Sequence, residues 1–379
     1  MNKNSNEFEL NVRVFDNLGE AIFSPCWRMR NNKTKHICEP SAIDLFAGAG
    51  GLTAGLKAAG FKVIGAVENS PEAVKTYSIN NPLTTVIPED IRQIDTRVLK
   101  KRLGLKKNQL HLLAGCPPCQ GFSRLKTLNG KRDSDEPIND LIFEFLRFVE
   151  ALSPHAIMLE NVPALAENHR LTRFCESIVN LGYSYEFKLL DVSKYGVPQR
   201  RKRMILIASL HGFVDWASEK KPVPTVRDAI GELPKPGASG DPLHDFPEKR
   251  SLKVRNLIRK IPKNGGSRLD LGGSEQLACH QKCDGFRDVY GRMSWNLPSP
   301  TITGGCTNPS KGRFLHPTQN RAISLREAAL LQSFPKDYTF SLDRGKGGAA
   351  QMIGNALPPK FVEAHAKKII EHIVTKVSC

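Results

Sequence analysis

The sequence predicts an α/β protein: a mostly parallel sheet with helices between its strands, interrupted by a smaller second lobe. Three observations predict it. From Ser41 onward short β-branched runs alternate with helical patterns, which is the rhythm of βαβ units. The last two apolar runs of that series, Tyr185 to Leu190 and Met204 to Ala208, are close enough to pair as a hairpin, so the sheet is expected to end antiparallel. Past Ser209 the alternation gives way to Pro- and Gly-rich loops such as LPKPGASGDPLHDFPEK, and it does not return until about Ala322.

The elements follow in order. Residues 1–40 read as an N-terminal extension of unassigned role, in which Phe8, Leu10, Val12 and Val14 alternate like a strand and Lys33, Lys35 and His36 read as solvated charge. AIDLF starts the sheet, a helix runs through Leu56, VIGAV follows, and a second helix extends from Pro71 toward Ile79. HLLAG (111–115) resumes the pattern. Ile142, Phe145, Leu146 and Val149 then recur at i, i+3, i+4 and i+7, a buried helical stripe, before strand AIMLE (156–160) and a helix around Phe174 to Val179. After the interruption, SLREAALLQSF is helical, and a last helix follows Pro358 and Pro359. The domain reading is therefore 41–208 with 321–379 as one domain and 209–320 as an insert.

Fifty-five Lys and Arg against 38 Asp and Glu leave the 379-residue chain at +17, with a pI near 9.5. Residues 251–320 alone hold eleven basic and four acidic side chains, a local +7. A polyanion is the natural partner, nucleic acid first. With 40% hydrophobic residues the chain has enough apolar material for a core, which excludes disorder for its bulk. No stretch approaches the roughly 18 apolar residues of a membrane span, and MNKNSNEFEL lacks the apolar centre of a secretory signal, so an unexported protein off the membrane is expected. Nine scattered cysteines, an odd number, read as thiols in a reducing compartment.

Four groups of residues carry chemistry. DLFAGAGGLTAGL (44–56) runs from a strand through Phe46-Ala47-Gly48-Ala49-Gly50-Gly51 into a helix, where glycines let backbone amides approach a ligand. Glu68 ends the next strand, where a carboxylate suits both hydroxyls of a ribose, and Asp90 ends the third, where it could meet an adenine amine. The spacing is neither G-x-G-x-x-G nor G-x-x-x-x-G-K-[ST], which points to a nucleoside cofactor without phosphates, S-adenosylmethionine being one. AGCPPCQGFS (114–123) holds two cysteines spaced as a redox or zinc pair, but two prolines stiffen the loop, and Cys279 with Cys283 is a poor second half. A thiol there is better read as a nucleophile activated by nearby cations. Glu160 in ENV ends strand AIMLE, where burial would raise its pKa and let it hold a proton at neutral pH. In QRRKR (199–203) alternation puts Arg201 and Arg203 on one face and Arg200 and Lys202 on the other, although such a cluster alone is most often a solvated turn.

With these residues on one chain, the sequence resembles DNA cytosine-5 methyltransferases of the bacterial restriction–modification type. The match runs from Ala42 to about Lys368 in the family's order: FAGAGG, Glu68, Asp90, PPCQGFS, ENV, QRRKR, a variable region, RAISLREAALLQSFP (321–335) and QMIGNALPP (351–359). PPCQGFS followed by ENV and GNALPP is a highly specific combination. Lys202 stands where an acid is frequent and Leu357 where valine is usual.

The resemblance implies a Rossmann-like methyltransferase sheet that uses S-adenosylmethionine, with 209–320 as a target-recognition domain. It implies that the thiolate of Cys119 adds to cytosine carbon 6, that Glu160 meets ring nitrogen 3 and the amino group, that Arg201 holds the base carbonyl, and that Arg203 helps position the Cys119 loop. It implies cofactor contacts at Phe46, on which adenine stacks, and at Ala47, Gly48, Gly50, Gly51, Leu52, Glu68, Asn69, Asp90, Ile91, Pro118 and Asn355. No metal is expected. The segment Gly121 to Gly130, with Arg124 and Lys126, would close over a flipped base. RMSWNLPSPTITGG (292–305) closes such recognition domains, which would bring Thr301 and Thr303 near DNA, although a buried strand without contact explains the stretch equally well. Double-stranded DNA is the expected partner of a monomer in the cytoplasm, at the nucleoid, alongside a cognate endonuclease for the same site. Two rival readings fit the sequence less well. A transfer-RNA methylating branch shares the catalytic framework but has a short variable region, whereas about 110 residues separate QRRKR from RAISLREAALLQSFP here. A catalytically silent DNA-binding regulator would have no use for Cys119, Glu160 and Arg201.

Overall fold

The computed structural model describes residues 39–106, 108–118, 140–272, 276 and 287–376. Strand β1 (Ser41–Leu45) leads through the glycine loop into α1 (Gly51–Ala59), then β2 (Lys62–Val67), α2 (Pro71–Asn80), β3 (Thr85–Ile87), α3 (Thr96–Arg102) and β4 (Leu112–Gly115). After α4 (Leu141–Leu152) come β5 (Ala156–Asn161), α5 (His169–Asn180), β6 (Ser184–Asp191) and β7 (Lys202–Ser209). The helix ends obey local rules. Pro71 occupies the first turn of α2, the Asp95 carboxylate accepts from Arg97 N and Val98 N to start α3, and Gly60 ends α1 at φ 107°.

The sheet order is β3-β2-β1-β4-β5-β7-β6. β1 pairs in parallel with β2 and β4, and β4 with β5, as alternating strands and helices require. β7 enters antiparallel between β5 and β6, so the expected hairpin is present and its return strand also neighbours β5. This topology decides the site: β7 begins where β1, β2, β4 and β5 end. Five strands thus bring residues to one sheet edge.

The sheet is apolar on both faces. Ile43, Leu45, Leu113, Ile157 and Leu159 pack on one side with Leu99, Phe145, Phe148, Phe174 and Ile178 from α3, α4 and α5. Ala42, Leu112, Ala114 and Met158 pack on the other with Leu52 and Leu56 of α1, and with Phe361, Val362 and Ile369 of the C-terminal helix (Pro359–Lys376).

Residues 210–320 differ. Their described part holds the short helix α6 (Val226–Ile230), α7 (Leu252–Lys260) and single turns at Arg268–Asp270 and Pro309–Lys311, and among the described residues its β pairing is limited to isolated bridges. Arg292 organises it. Fully buried, its guanidinium donates to the carbonyls of Ile258, Ile261, His316 and Gln319 and to Asn320 Oδ1 at 2.5–3.1 Å. Leu257, Ile258, Ile261, Leu271, Val289, Tyr290 and Leu315 form an apolar cluster around it. Val226, Ile230, Leu243, Met293, Ile302, Cys306 and Phe314 instead share a core with Ile323, with Leu325 and Leu331 of α8 (Leu325–Leu331) and with Ala349, Ala350 and Ile353 of α9 (Gly345–Asn355). The last helix, Pro359–Lys376, is α10. No described helix is long and apolar enough to cross a membrane.

Candidate active site

The loop after β1 turns sharply. Phe46 sits at φ 60°, a left-handed conformation unusual for a side chain of that size, and Gly50 at φ 92° starts α1. Only glycine fits at 50, because a Cβ would stand 2.5 Å from Tyr338 Oη. That hydroxyl donates to Ala49 O at 2.6 Å, so the C-terminal segment braces the loop. Ala47, Gly51 and Leu52 are buried beneath its surface.

Glu68 follows β2 directly. Its Oε2 accepts from Gly48 N and its Oε1 from Ser70 N, both at 2.8 Å, which joins the first two strand ends. Asn69 is exposed beside it. Asp90 lies three residues beyond β3, where it accepts from Arg92 Nε at 2.9 Å and Nη2 at 2.5 Å. Those bonds hold its carboxyl down at about 2. The next residue, Ile91, is buried, and Arg147 of α4 donates to Ile91 O and Ile94 O at 2.6 and 2.9 Å, fixing the turn.

Asp44 escaped the sequence reading. It is fully buried on β1, its Oδ2 accepts from Thr53 Oγ1 at 2.7 Å, and Thr53 Oγ1 also bonds Tyr77 Oη at 2.8 Å. Its Oδ1 has no partner. Burial, opposed by the Thr53 bonds, pushes its carboxyl up to about 7. An acid inside the apolar run AIDLF was the available signal.

The catalytic candidates gather one strand further along. Cys116 and the two prolines follow β4, while Cys119 and the segment Gly121 to Gly130 lie outside the described residues. Asn161 Nδ2 donates to Pro117 O at 2.9 Å, so the asparagine of ENV ties the cysteine loop to the end of β5. Burial first, then the Glu160 and Asp44 charges, push the Cys116 thiol well above the ordinary range, which makes this cysteine a poor nucleophile. Glu160 is 8% exposed and its Oε1 meets Arg203 Nε at 2.7 Å. Burial of Glu160 was legible in the sequence, but its cation partner was not, because Arg203 lies 43 residues away on a different strand. The pair exists because Glu160 and Asn161 of β5 stand opposite Ile205 and Met204 of β7.

Arg201 is buried. Its Nη1 donates to Ile302 O at 3.0 Å and Gly354 O at 2.9 Å, and its Nε has no partner. Burial, then the charge of Arg203, draw its guanidinium down to about 9. Asn355 is exposed at the end of α9, one residue past that Gly354 contact. Thr301 Oγ1 donates to Arg200 O at 2.8 Å, whereas Thr303 is exposed.

This sheet, with glycine loop, acidic strand ends and a Glu–Arg pair at one edge, is the architecture of a Rossmann-like methyltransferase. A prophage-encoded protein of E. coli, assigned by its name as a DNA modification methyltransferase, has the same fold, with a TM-score of 0.69 at 24% identity over 88% of this chain and 99% of that one. S. pombe Dnmt2 gives 0.58 at 18% over 88% and 98%. The family model for C-5 cytosine-specific DNA methylases matches residues 41–371. The chain belongs to that family and is a DNA cytosine-5 methyltransferase. Its curated relatives include the type II methylase M.HgiDII of Herpetosiphon aurantiacus, 35% identical over 87% of this chain and 94% of that protein. The type II methyltransferase M1.HphI of Haemophilus parahaemolyticus is 34% identical over 87% and 86%.

Proposed function

We propose that this protein transfers a methyl group from S-adenosylmethionine to carbon 5 of a cytosine flipped out of a specific double-stranded DNA sequence, through a covalent adduct with Cys119. In this reading it protects DNA within a restriction–modification system, with residues 209–320 reading the sequence. The carrying observation is the Asn161–Pro117 bond beside the Glu160–Arg203 pair, which sets the start of the cysteine loop next to a buried, oriented carboxylate.

The residues at the carboxyl edge suit the cofactor. Each Glu68 oxygen accepts one backbone N–H and keeps capacity for a ribose hydroxyl, and Phe46, from the glycine loop, would stack on the adenine. Asp90 would take the adenine amine in exchange for Arg92, with Asn69, Ile91, Pro118 and Asn355 completing the walls. The bare Asp44 Oδ1 marks unspent acceptor capacity beneath the same loop. When bound, S-adenosylmethionine supplies the methyl group.

The chain's own residues would prepare the base. A cytosine inside a duplex cannot reach this edge, so it leaves the stack. The Cys119 sulfur forms a bond to carbon 6, and the electron pair displaced makes carbon 5 nucleophilic. Glu160, held by Arg203, faces nitrogen 3 and the amino group, and Arg201 offers its unpartnered Nε–H to the carbonyl oxygen where charge develops. After methylation carbon 5 loses its proton and the carbon–sulfur bond breaks, releasing Cys119.

DNA with 5-fluorocytosine at the target tests this, because fluorine cannot leave as a cation. Wild type and Cys116→Ser should be trapped covalently, with the adduct mapped to Cys119, and Cys119→Ser should not. Trapping by Cys119→Ser, or an adduct on another residue, would overturn the assignment.

A further inference from the structure

Behind Arg201 a run of buried amides closes on itself. Ile302 N donates to Gln199 Oε1 at 2.8 Å, Gln199 Nε2 donates to Gln332 Oε1 at 2.7 Å, and Gln332 Nε2 donates to Ile353 O at 2.7 Å. Arg201 then joins the two ends, because its acceptors are the carbonyls of Ile302 and Gly354. Gln199 and Gln332 are fully buried, and each spends both halves of its amide in the ring. Four separate segments meet there: the lead into β7, the insert at Ile302, the end of α8, and the end of α9.

The contact admits no slack. A Cβ on Gly354 would stand 2.2 Å from the carbonyl carbon of Thr303, so the insert's backbone lies directly against α9. Arg200 N donates to Ser299 O and Ser299 N to Pro198 O, both at 2.9 Å, which adds a backbone tie on the other side. Arg201 is therefore aimed by two acceptors from two different elements, one belonging to the insert. If the insert shifts relative to α9, the two carbonyls separate and Arg201 loses one of them.

We propose that Gln199 and Gln332 are positioning residues that couple the DNA-reading insert to Arg201, so that a misplaced insert slows the chemical step itself. Recognition is then expressed in kcat as well as in DNA affinity. The glutamines touch neither base nor cofactor, and their effect passes through Arg201. The proposal rests on the reading of Arg201 as a contact to the target base.

The test is a double-mutant cycle with Gln332→Met, which keeps the volume and removes the amide's hydrogen bonds to Gln199, Ile353 and Ala356, and Arg201→Lys. Methyl incorporation into long unmethylated DNA is measured alongside S-adenosylhomocysteine affinity and the melting temperature. Gln332→Met alone should lower kcat at least about tenfold, as expected of a misaimed catalytic group, with cofactor affinity and KM for DNA little changed. On the Arg201→Lys background the same change should have almost no further effect. An equal loss on both backgrounds, or unchanged kcat in Gln332→Met beside a slow Arg201→Lys, would overturn the coupling and leave the functional reading standing. Full activity in Arg201→Lys would instead remove the reading of Arg201, and the coupling with it. Should Gln332→Met not fold, Gln199→Met carries the same comparison from the other link.

Discussion

The sheet and the insert are held together by different means. In the sheet, backbone ladders satisfy the main chain and aliphatic side chains fill both faces, so short continuous apolar runs between helices mark the strands. In the insert's described part, long-range side chains replace the ladder: Arg292 reaches carbonyls 24 to 34 residues away, and Arg313 reaches Gly265 O at 2.7 Å. The difference teaches that a region with few strands can still be specified when a buried cation collects its loose carbonyls. A lobe built that way can vary its exposed loops without disturbing a sheet.

The largest effects should come from breaking each kind of support. Arg292→Met leaves several buried carbonyls without a donor and should cost about 3–5 kcal/mol. Segment-resolved hydrogen exchange should show that loss within 210–320, with β1, β4 and β5 still protected. Phe145→Ala, beneath Gly115, should cost a similar amount, about 3–5 kcal/mol, but expose the strands and weaken cofactor binding as well. Identical exchange patterns in the two variants would erase the distinction.

A smaller effect separates the cofactor edge from the insert by function. Asp90→Ala removes the acceptor assigned to the adenine amine and should weaken S-adenosylhomocysteine binding by about 1–3 kcal/mol while DNA affinity holds. Isothermal titration decides it, and unchanged affinity would move the adenine elsewhere.

The smallest effect at neutral pH is a difference in titration. In the insert, His316 Nδ1 accepts from Thr318 N and Gln319 N, which requires a ring without a proton there, and burial draws its pKa down to about 4. The unfolded chain takes up that proton near 6.5, so as pH falls from 6.5 toward 4 the insert loses stability. Asp44 runs the other way. With its folded pKa at about 7 against 3.8 unfolded, the folded state binds the extra proton in between, and stability falls as pH rises through that window. Protection of 210–320 against exchange, relative to the intrinsic rate at each pH, should therefore fall between pH 7 and 5. Asp44→Asn should raise the melting temperature more at pH 8 than at pH 5, and a gain independent of pH would mean that Asp44 does not titrate there.

How much of this was legible follows from the same contrast. The strands and the antiparallel finish could be read because the βα rhythm is local and connection rules are few, whereas the order of the strands in the sheet came only with the structure. FAGAGG, ENV and QRRKR could be placed at strand ends for that reason. Partners across strands could not: alternation showed the face Arg203 occupies, but only the insertion of β7 beside β5 sets it against Glu160. Arg292, Gln199 and Gln332 were illegible because their partners are distant and are mostly backbone groups, which no residue pattern advertises. The Asp90–Arg92 clamp was within reach, being two residues long.

If the insert reads DNA and the sheet performs the chemistry, as proposed, the two can be exchanged between relatives. The most direct measurement transplants residues 209–320 into a relative of different specificity that has glutamines matching Gln199 and Gln332, followed by bisulfite mapping of DNA from cells expressing the chimera. Methylation should then appear at the sites of this protein and not at those of the recipient. An active chimera that still methylates the recipient's sites would contradict it.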